Sequence, residues 1–515
     1  MPYATKHTVS SWAILGIVAI LPLTTLAGEP ATEPAWQTLV NDAHAQTGVW
    51  SCASTACHGG LKAERRAPRT TGGELEIWLS ADPHARASSI LAGEAFEKIL
   101  VRLQWAKSNS DAAHSPQVLN AAGIRECMQC HNPAGVANRW DGAAKHGANT
   151  LAIDCETCHG PAEKWLNTHP HADWNRTAAQ TAGFRDLKQL LLRGRTCAQC
   201  HVGDERHDMN HDMIAAGHPP LRFELSSSLA ALPKHWNDRQ ERTLTNQREL
   251  KLWLAGQLAN YDASLGLLES RLRRVTAATE DRPQAPWPEL AEYSCAACHQ
   301  PLLPLSNERR GEGTNITLAF PGLAPVANPL VATGWNQGFV ESIITGREAT
   351  NSPARTQLAQ EIGTLRTALE TGDFTHTNEL AWADHVHNLR HGNATQLGVR
   401  SLSGELLQQL EREPVAQPLA RLALRDPLKS AEQAAHAYAL LVAALQSQYD
   451  EAAKAGRSTG LTPPPELRAM RERLAPSANR PFGSASASNG AAALDDRFTE
   501  QAARVLRAVE SAESP

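Results

Sequence analysis

The chain has 515 residues, of which 42% are hydrophobic and 20% are charged, and its formal net charge is −5. This composition excludes a disordered protein, a polytopic membrane protein and a strongly basic protein that binds nucleic acid. The length suggests about two to three domains. The sequence also holds ten cysteines and 21 histidines. The positions of the cysteines decide whether they form disulfides or bind a metal or a cofactor.

The N-terminal segment has the parts of a secretory signal peptide. A weakly basic start is followed by an apolar stretch from Trp12 to Leu26, and small residues precede Gly28. The stretch is shorter than the ~20 residues that a membrane-spanning helix needs. We therefore expect cleavage near Ala27 and an exported, periplasmic protein. The alternative is an uncleaved anchor, and contact with a membrane is expected only through this segment.

Every cysteine belongs to a pair that is followed directly by histidine. Four pairs have the spacing Cys-x-x-Cys-His, and the first pair has four residues between its cysteines. The five motifs comprise Cys52, Cys57 and His58; Cys127, Cys130 and His131; Cys155, Cys158 and His159; Cys197, Cys200 and His201; and Cys295, Cys298 and His299. Cys-x-x-Cys-His attaches c-type haem, because its thiols reach the vinyl groups on one porphyrin edge while the imidazole binds the iron. The sequence thus predicts five covalently bound haems and their irons.

Three other uses of paired cysteines fit less well. Zinc sites combine two pairs for each metal and do not require histidine after every pair. Thioredoxin-like redox pairs are not expected five times in one chain, and disulfides do not explain the histidines. For Cys52 and Cys57, the longer loop leaves a disulfide or a free thiol pair open as the alternative to haem.

A second histidine can close the remaining axial position of a haem iron. Candidates for this role in defined contexts of the haem-bearing span are His84, His169, His211 and His218. His235 and His44 are weaker candidates. The spacing of His211 and His218 puts both near one helical face, and Gly217 and Pro219 mark a helix end. An iron with two axial histidines passes electrons, whereas an iron with an open position can also bind a small molecule.

The run from the first to the fourth motif resembles the cytochrome c-554 family, tetrahaem electron carriers related to hydroxylamine oxidoreductase. The similarity extends over about residues 44–225. Four segments carry the similarity. They are the first motif followed by Trp78 and Asp-Pro-His84-Ala, the second motif preceded by Glu126, the third motif followed by Gly160-Pro161, and the fourth motif from Thr196 to Val202. The resemblance implies that His84 and His169 are distal ligands. It also implies that the haem on His131 matches the family's haem that can lack a distal protein ligand.

The chain departs from this family in its stretched first motif, its fifth motif and its long continuation. Pentahaem nitrite reductases share the haem count, but their catalytic haem typically has lysine in place of the motif histidine, and no Cys-x-x-Cys-Lys occurs here. We therefore favour an electron carrier over an enzyme, relaying electrons between redox partner proteins. The alternative is a multihaem oxidoreductase that acts on nitrite, hydroxylamine or sulfite at the iron of His131.

The expected fold is mainly α, with few strands, the haem array as core and a helical C-terminal region. We assign residues 28–305 to the pentahaem domain, 306–474 to a helical domain, 475–494 to a flexible linker and 495–515 to a C-terminal helix. Apolar residues at three- and four-residue steps predict one long helix from Asn246 to Val275.

Two more helices are predicted beyond the fifth motif. The first begins after Ser352 at Pro353 and ends at Gly372. The second opens with a capping box at Ser430 and extends to about Tyr449. Between these helices lie His376, His385, His387 and His391, which we interpret as solvated helix residues rather than as a metal site or haem ligands.

Overall fold

The computed structural model describes residues 44–59, 73–106, 122–133, 153–221, 223–237, 241, 247–276, 287, 289–292, 340, 343, 352–371, 379–412, 431–454, 456, 464–474, 501–502, 504–505 and 507. All regular structure in these residues is helical, which confirms the mainly α class. The few expected strands are not found among them. None of the described helices combines the length and the apolar character that a membrane span requires.

Several predicted features lie outside the described residues. These are the signal segment, the fifth motif with Cys295, Cys298 and His299, His376 and the linker 475–494. Within the predicted C-terminal helix, the described positions 501–502, 504–505 and 507 are helical.

The haem-bearing part consists of short helices, and three of them end at a motif histidine. Side chains cap the first turns of some of these short helices: Asp154 Oδ1 accepts from Thr157 N (2.9 Å), and Asn210 Oδ1 accepts from Met213 N (3.0 Å). A 3₁₀ helix, Pro83–Ala92, lies between the first two α-helices. In chain order the α-helices are α1 (Glu74–Ala81), α2 (Glu94–Arg102), α3 (Ala122–His131), α4 (Cys155–His159), α5 (Arg176–Thr181), α6 (Leu190–His201), α7 (His211–Ala216) and α8 (Leu225–Ala231).

The predicted long helix is confirmed as α9 (Arg248–Thr276). It is apolar on more than one face, which is typical of a helix buried on all sides. Leu252 packs with α6 and α8, whereas Leu254 and Leu258 belong to the core shared with the C-terminal helices. Helix α9 therefore joins the haem-bearing part to the C-terminal region.

The C-terminal region forms helices that pack against α9. They are α10 (Pro353–Thr371), α11 (Glu379–His391), α12 (Val399–Arg412), α13 (Ala431–Lys454) and α14 (Pro465–Leu474). The predicted start of α10 is confirmed, since Ser352 Oγ accepts a hydrogen bond from Arg355 N (3.4 Å). Helix α13 continues past Tyr449 because the following Asp-Glu-Ala-Ala-Lys favours helix. The chain then reaches Gly456, which has a positive φ of 67°.

A buried ion cluster links α9 to the haem-bearing part and to the C-terminal helices. The Asp262 carboxylate, 3% exposed, accepts hydrogen bonds from Arg400 Nε (2.8 Å) and Arg390 Nε (2.9 Å), and Arg195 of α6 lies 3.8 Å away. Burial alone would raise the pKa of Asp262, but the three guanidinium groups outweigh burial and hold the pKa well below its usual range. The cluster fixes the C-terminal helices to the helix that carries the fourth motif.

Candidate haem sites

The first motif folds so that its longer spacing is absorbed by a turn. Cys57 N and Gly59 N both donate to Ser54 O (2.8 and 3.0 Å), and His58 N donates to Cys52 O (3.3 Å). In a regular α-helix the backbone hydrogen bond spans four residues, whereas here it spans six. The turn thus brings His58 back to Cys52, in keeping with haem attachment at this motif.

A buried carboxylate that the sequence analysis did not single out holds the segment before this motif. Glu156, 1% exposed, accepts hydrogen bonds from Thr47 N (2.9 Å), Gly48 N (2.6 Å) and Ala162 N (2.6 Å). Glu156 lies inside the third motif, so the third motif anchors the approach to the first. The sequence does show an acidic residue between the two cysteines of the third motif. It does not reveal the partners Thr47 and Gly48, which lie 109 and 108 residues before Glu156.

The motifs meet in pairs through their cysteines. The thiols of Cys52 and Cys155 are hydrogen-bonded to each other, and so are those of Cys130 and Cys200. Cys158 and Cys197 are close enough to interact electrostatically. The first motif therefore adjoins the third, the third adjoins the fourth, and the fourth adjoins the second.

Several thiols differ from those of a metal–thiolate site, which need a lowered pKa. Burial raises the pKa of Cys127 and Cys158 to about 11 and that of Cys197 to about 12. The hydrogen bond with the partner thiol lowers the pKa of Cys52 and of Cys130. Cys130, Cys200 and His207 do bring ligand atoms within 4.8 Å of one another. Because thioether bonds to haem would use both sulfurs, no thiolate would remain for an ion there.

Each of three motif histidines faces a second imidazole, and the distance between the ring centroids is nearly the same in all three pairs. The ring centroids are 6.2 Å apart for His58 and His169, 6.2 Å for His84 and His201, and 6.3 Å for His131 and His218. A metal–imidazole bond of about 2.0–2.1 Å, extended to the ring centre on both sides of one metal, gives a centroid separation of about 6.3 Å. Each pair therefore has the spacing of two axial ligands on one iron.

The other ring nitrogens are held as in metal-ligating histidines, which donate their second N–H to an oxygen. His169 Nδ1 donates to the carbonyls of Trp165 (3.0 Å) and Leu166 (2.9 Å). His84 Nδ1 donates to Asp82 Oδ1 (2.9 Å), and Asp82 also caps the 3₁₀ helix by accepting from His84 N. These contacts engage Nδ1 of both rings, so Nε2 is the atom that would bind an iron.

The third motif associates with His235. Burial lowers the pKa of His159 to about 4, and His235 lowers it further. Nδ1 of both imidazoles is buried without a hydrogen-bond partner. Burial also lowers the pKa of His201 to about 4, so these rings are neutral, as metal ligands must be.

His211 is the candidate that lies beside the approach to the fifth motif. It begins α7, and its backbone N donates to Glu289 Oε1 (2.9 Å). Glu289 precedes the fifth motif by only a few residues. His211 is thus held beside the segment that leads into the fifth motif.

The surroundings of His131 bear on one implication of the resemblance. The haem on His131 matches the family's haem that can lack a distal protein ligand, whereas in the structure His218 stands opposite His131. Both histidines had been predicted from sequence, whereas their pairing had not. The pairing depends on how α7 packs against α2, which no local pattern reveals.

The histidines of α11 are not simply solvated, which corrects the sequence interpretation. His387 Nδ1 donates to Glu269 Oε1 (2.9 Å), and Arg400 donates to His391 Nδ1 (3.1 Å). Glu269, His387 and His391 have ligand atoms close enough for a metal ion. However, a neutral His391 whose Nδ1 accepts from Arg400 carries its proton on Nε2. It therefore has no lone pair left for a metal.

A comparison with family models agrees with the geometry. Residues 74–160, which include His84 and the second and third motifs, match the family described as cytochrome c554 and c-prime. Neither a curated protein nor a solved structure matches the chain. The match confirms the resemblance seen in the motifs. The match of residues 74–160 supports a c-type cytochrome that binds haem c covalently and acts in electron transfer.

Proposed function

We propose that the protein is a periplasmic relay that passes single electrons between two redox partner proteins through five covalently attached haems. The observation that carries the proposal is the set of three imidazole pairs at the spacing of one iron, on motifs that adjoin one another. An iron with two imidazole ligands has no open position and changes only its oxidation state. Haem c would supply that one-electron chemistry, and the chain supplies spacing and ligands.

The contacts between motifs support one continuous order of haems. Cys52 meets Cys155, Cys158 lies near Cys197, and Cys200 meets Cys130. Electrons would therefore pass from the first haem to the third, the fourth and the second. The fifth haem would follow the second, since His218 and His211 flank the same short helix, α7. We assign His211 to the fifth haem as its distal ligand because of its bond to Glu289.

Export to the periplasm is supported by the signal-like segment that ends near Ala27. The two partner proteins are not identified by any contact of the described residues. The mildly acidic chain, at −5, would not attract nucleic acid.

The alternative, reduction or oxidation of a small nitrogen or sulfur compound, needs an open iron. The sequence pointed to the iron of His131, and the position of His218 argues against it. A reductive titration tests the two functions. The full-length haem-loaded protein should take up one electron per haem, return them to a one-electron acceptor, and leave nitrite, hydroxylamine and sulfite unchanged. Catalytic turnover of any of these compounds would contradict the relay.

A further inference from the structure

We infer that His218 closes the iron held by His131, so that this protein lacks the open haem position that its cytochrome c-554 resemblance implies. The inference rests on the proposed function, because it requires haem attached at Cys127 and Cys130. It goes further by naming which iron is closed and which elements close it.

The orientation of the two rings carries the argument. His131 Nδ1 lies 3.1 Å from the carbonyl of Ala87, and His218 Nδ1 lies 2.8 Å from the carbonyl of Pro219. A carbonyl oxygen only accepts, so each Nδ1 carries the proton and each Nε2 carries the lone pair. With ring centroids 6.3 Å apart, both Nε2 atoms are free to bind one iron from opposite sides.

The chain holds His218 in this position from two directions. Helix α7 ends at Gly217, whose φ of +119° turns the backbone, and His218 N donates back to Met213 O (3.0 Å). From the other side, Arg102 Nη1 at the end of α2 donates to Ala216 O (2.9 Å). A Cβ on residue 217 would lie 2.9 Å from that same Nη1 atom. The loop therefore favours glycine at position 217, and the hydrogen bond from Arg102 to Ala216 O, which we call the arginine clamp, holds it in place.

The surroundings of His131 also suit ligation. His131 ends α3, and the carbonyl that orients its ring belongs to the 3₁₀ helix that carries His84. The ring is thus held by a backbone carbonyl before any metal binds, as in other preorganised metal sites.

The test compares the wild-type protein with His218→Ala, both full-length and haem-loaded. Electron paramagnetic resonance of the ferric protein measures high-spin haem, and carbon monoxide binding to the reduced protein measures open irons. We expect His218→Ala to gain one high-spin haem and one carbon monoxide site per chain. Added imidazole should reverse both gains. If the substitution adds neither signal, the inference is overturned.

Three further proteins keep the result interpretable. His171→Ala removes an exposed histidine from another part of the haem-bearing span and should leave both signals at the wild-type level. A similar gain there would contradict a specific role for His218. His218→Met should stay six-coordinate and raise the potential of one haem. Arg102→Ala should give a partial high-spin signal that imidazole also reverses, since it only loosens the clamp.

The haem content separates the two claims. If the wild-type protein binds no haem by the pyridine haemochrome assay, the proposed relay fails. If wild type and His218→Ala bind the same number of haems with identical spin states, only the closure by His218 fails.

Discussion

The imidazole planes of His58 and His169 lie within 10° of parallel, with ring centroids 6.2 Å apart. The planes of His84 and His201 stand at 89° to each other at the same centroid distance. Two parallel imidazoles act on the same iron d orbital and split the d levels strongly. Perpendicular imidazoles leave two d levels nearly equal. The angle between the rings is therefore a spectroscopic property of each haem.

The first prediction follows from these angles. The ferric protein should show a rhombic low-spin resonance from the His58–His169 haem and a strongly anisotropic low-spin signal from the His84–His201 haem. His169→Ala should remove the rhombic signal and keep the anisotropic one. His84→Ala should keep the rhombic signal and weaken the anisotropic one, to which the His131–His218 pair, at 68° between the ring planes, also contributes. Loss of the same signal in both variants would contradict the assigned pairs.

The second prediction concerns the carboxylate behind His84. Asp82 accepts a hydrogen bond from His84 Nδ1 at 2.9 Å, and such a carboxylate makes an imidazole a stronger donor to ferric iron. A tenfold loss of preference for ferric iron corresponds to about 59 mV for one electron. Asp82→Asn should therefore raise the potential of one haem by about that amount in a spectroelectrochemical titration. A lowered potential would contradict the assigned role.

The third prediction concerns the buried ion cluster. Asp262→Asn leaves Arg390 and Arg400 without their buried anion, a change that typically costs about 3–5 kcal/mol. We expect this loss of unfolding free energy in denaturant titrations. The matched control is Asp384→Asn, whose exposed pair with Arg273 (3.0 Å) is worth only about 0–1 kcal/mol. Equal losses in the two variants would show that Asp262 does not join the two parts of the fold.

The fourth prediction is the pH dependence of that cluster. The folded-state pKa of Asp262 is lowered, so its stabilisation is present above the unfolded pKa of about 3.9 and is lost as pH falls further. The difference in unfolding free energy between wild type and Asp262→Asn should stay constant from neutral pH to about pH 4. It should shrink below that pH. A difference that instead disappears between neutral pH and about pH 5 would contradict the lowered pKa.

The fifth prediction concerns the anchor between the first and third motifs. Glu156→Gln replaces an acceptor of three backbone N–H groups, and such buried bonds to a charged acceptor contribute about 1.5–3 kcal/mol each. The variant should unfold at lower denaturant concentration, and the axial ligation of the haem at Cys52 and Cys57 should be lost first. Glu163→Gln is the control, because Glu163 holds the same segment through one exposed bond to Ala45 N. A control that is destabilised as much as Glu156→Gln would contradict the anchor.

Local patterns predicted the elements well and the pairings poorly. Apolar periodicity predicts the ends of α9, and Ser352-Pro353 predicts the start of α10. Both signals depend only on residues that are close in the sequence. The partner of His131 could not be predicted, since it depends on the clamp between Arg102 and Ala216, which are 114 residues apart. The same holds for His387, whose partner Glu269 lies 118 residues away.

The sequence predicted helix α9 but not the ion pairs through which it contacts other helices. Its leucines predicted a helix, and the even spread of apolar residues around it allowed packing on several sides. Only the fold reveals that Asp262 meets arginines from α6, α11 and α12. A lone aspartate in a long apolar helix is a signal of a buried partner, because an unpaired charge would be too costly there.

The most direct test of the account is the number of haems per chain. The pyridine haemochrome assay on the purified full-length protein, divided by the protein concentration from amino-acid analysis, measures that number. The account predicts five, with the stretched motif at Cys52 and Cys57 counted like the other four. A ratio of two or fewer would contradict the relay of five haems.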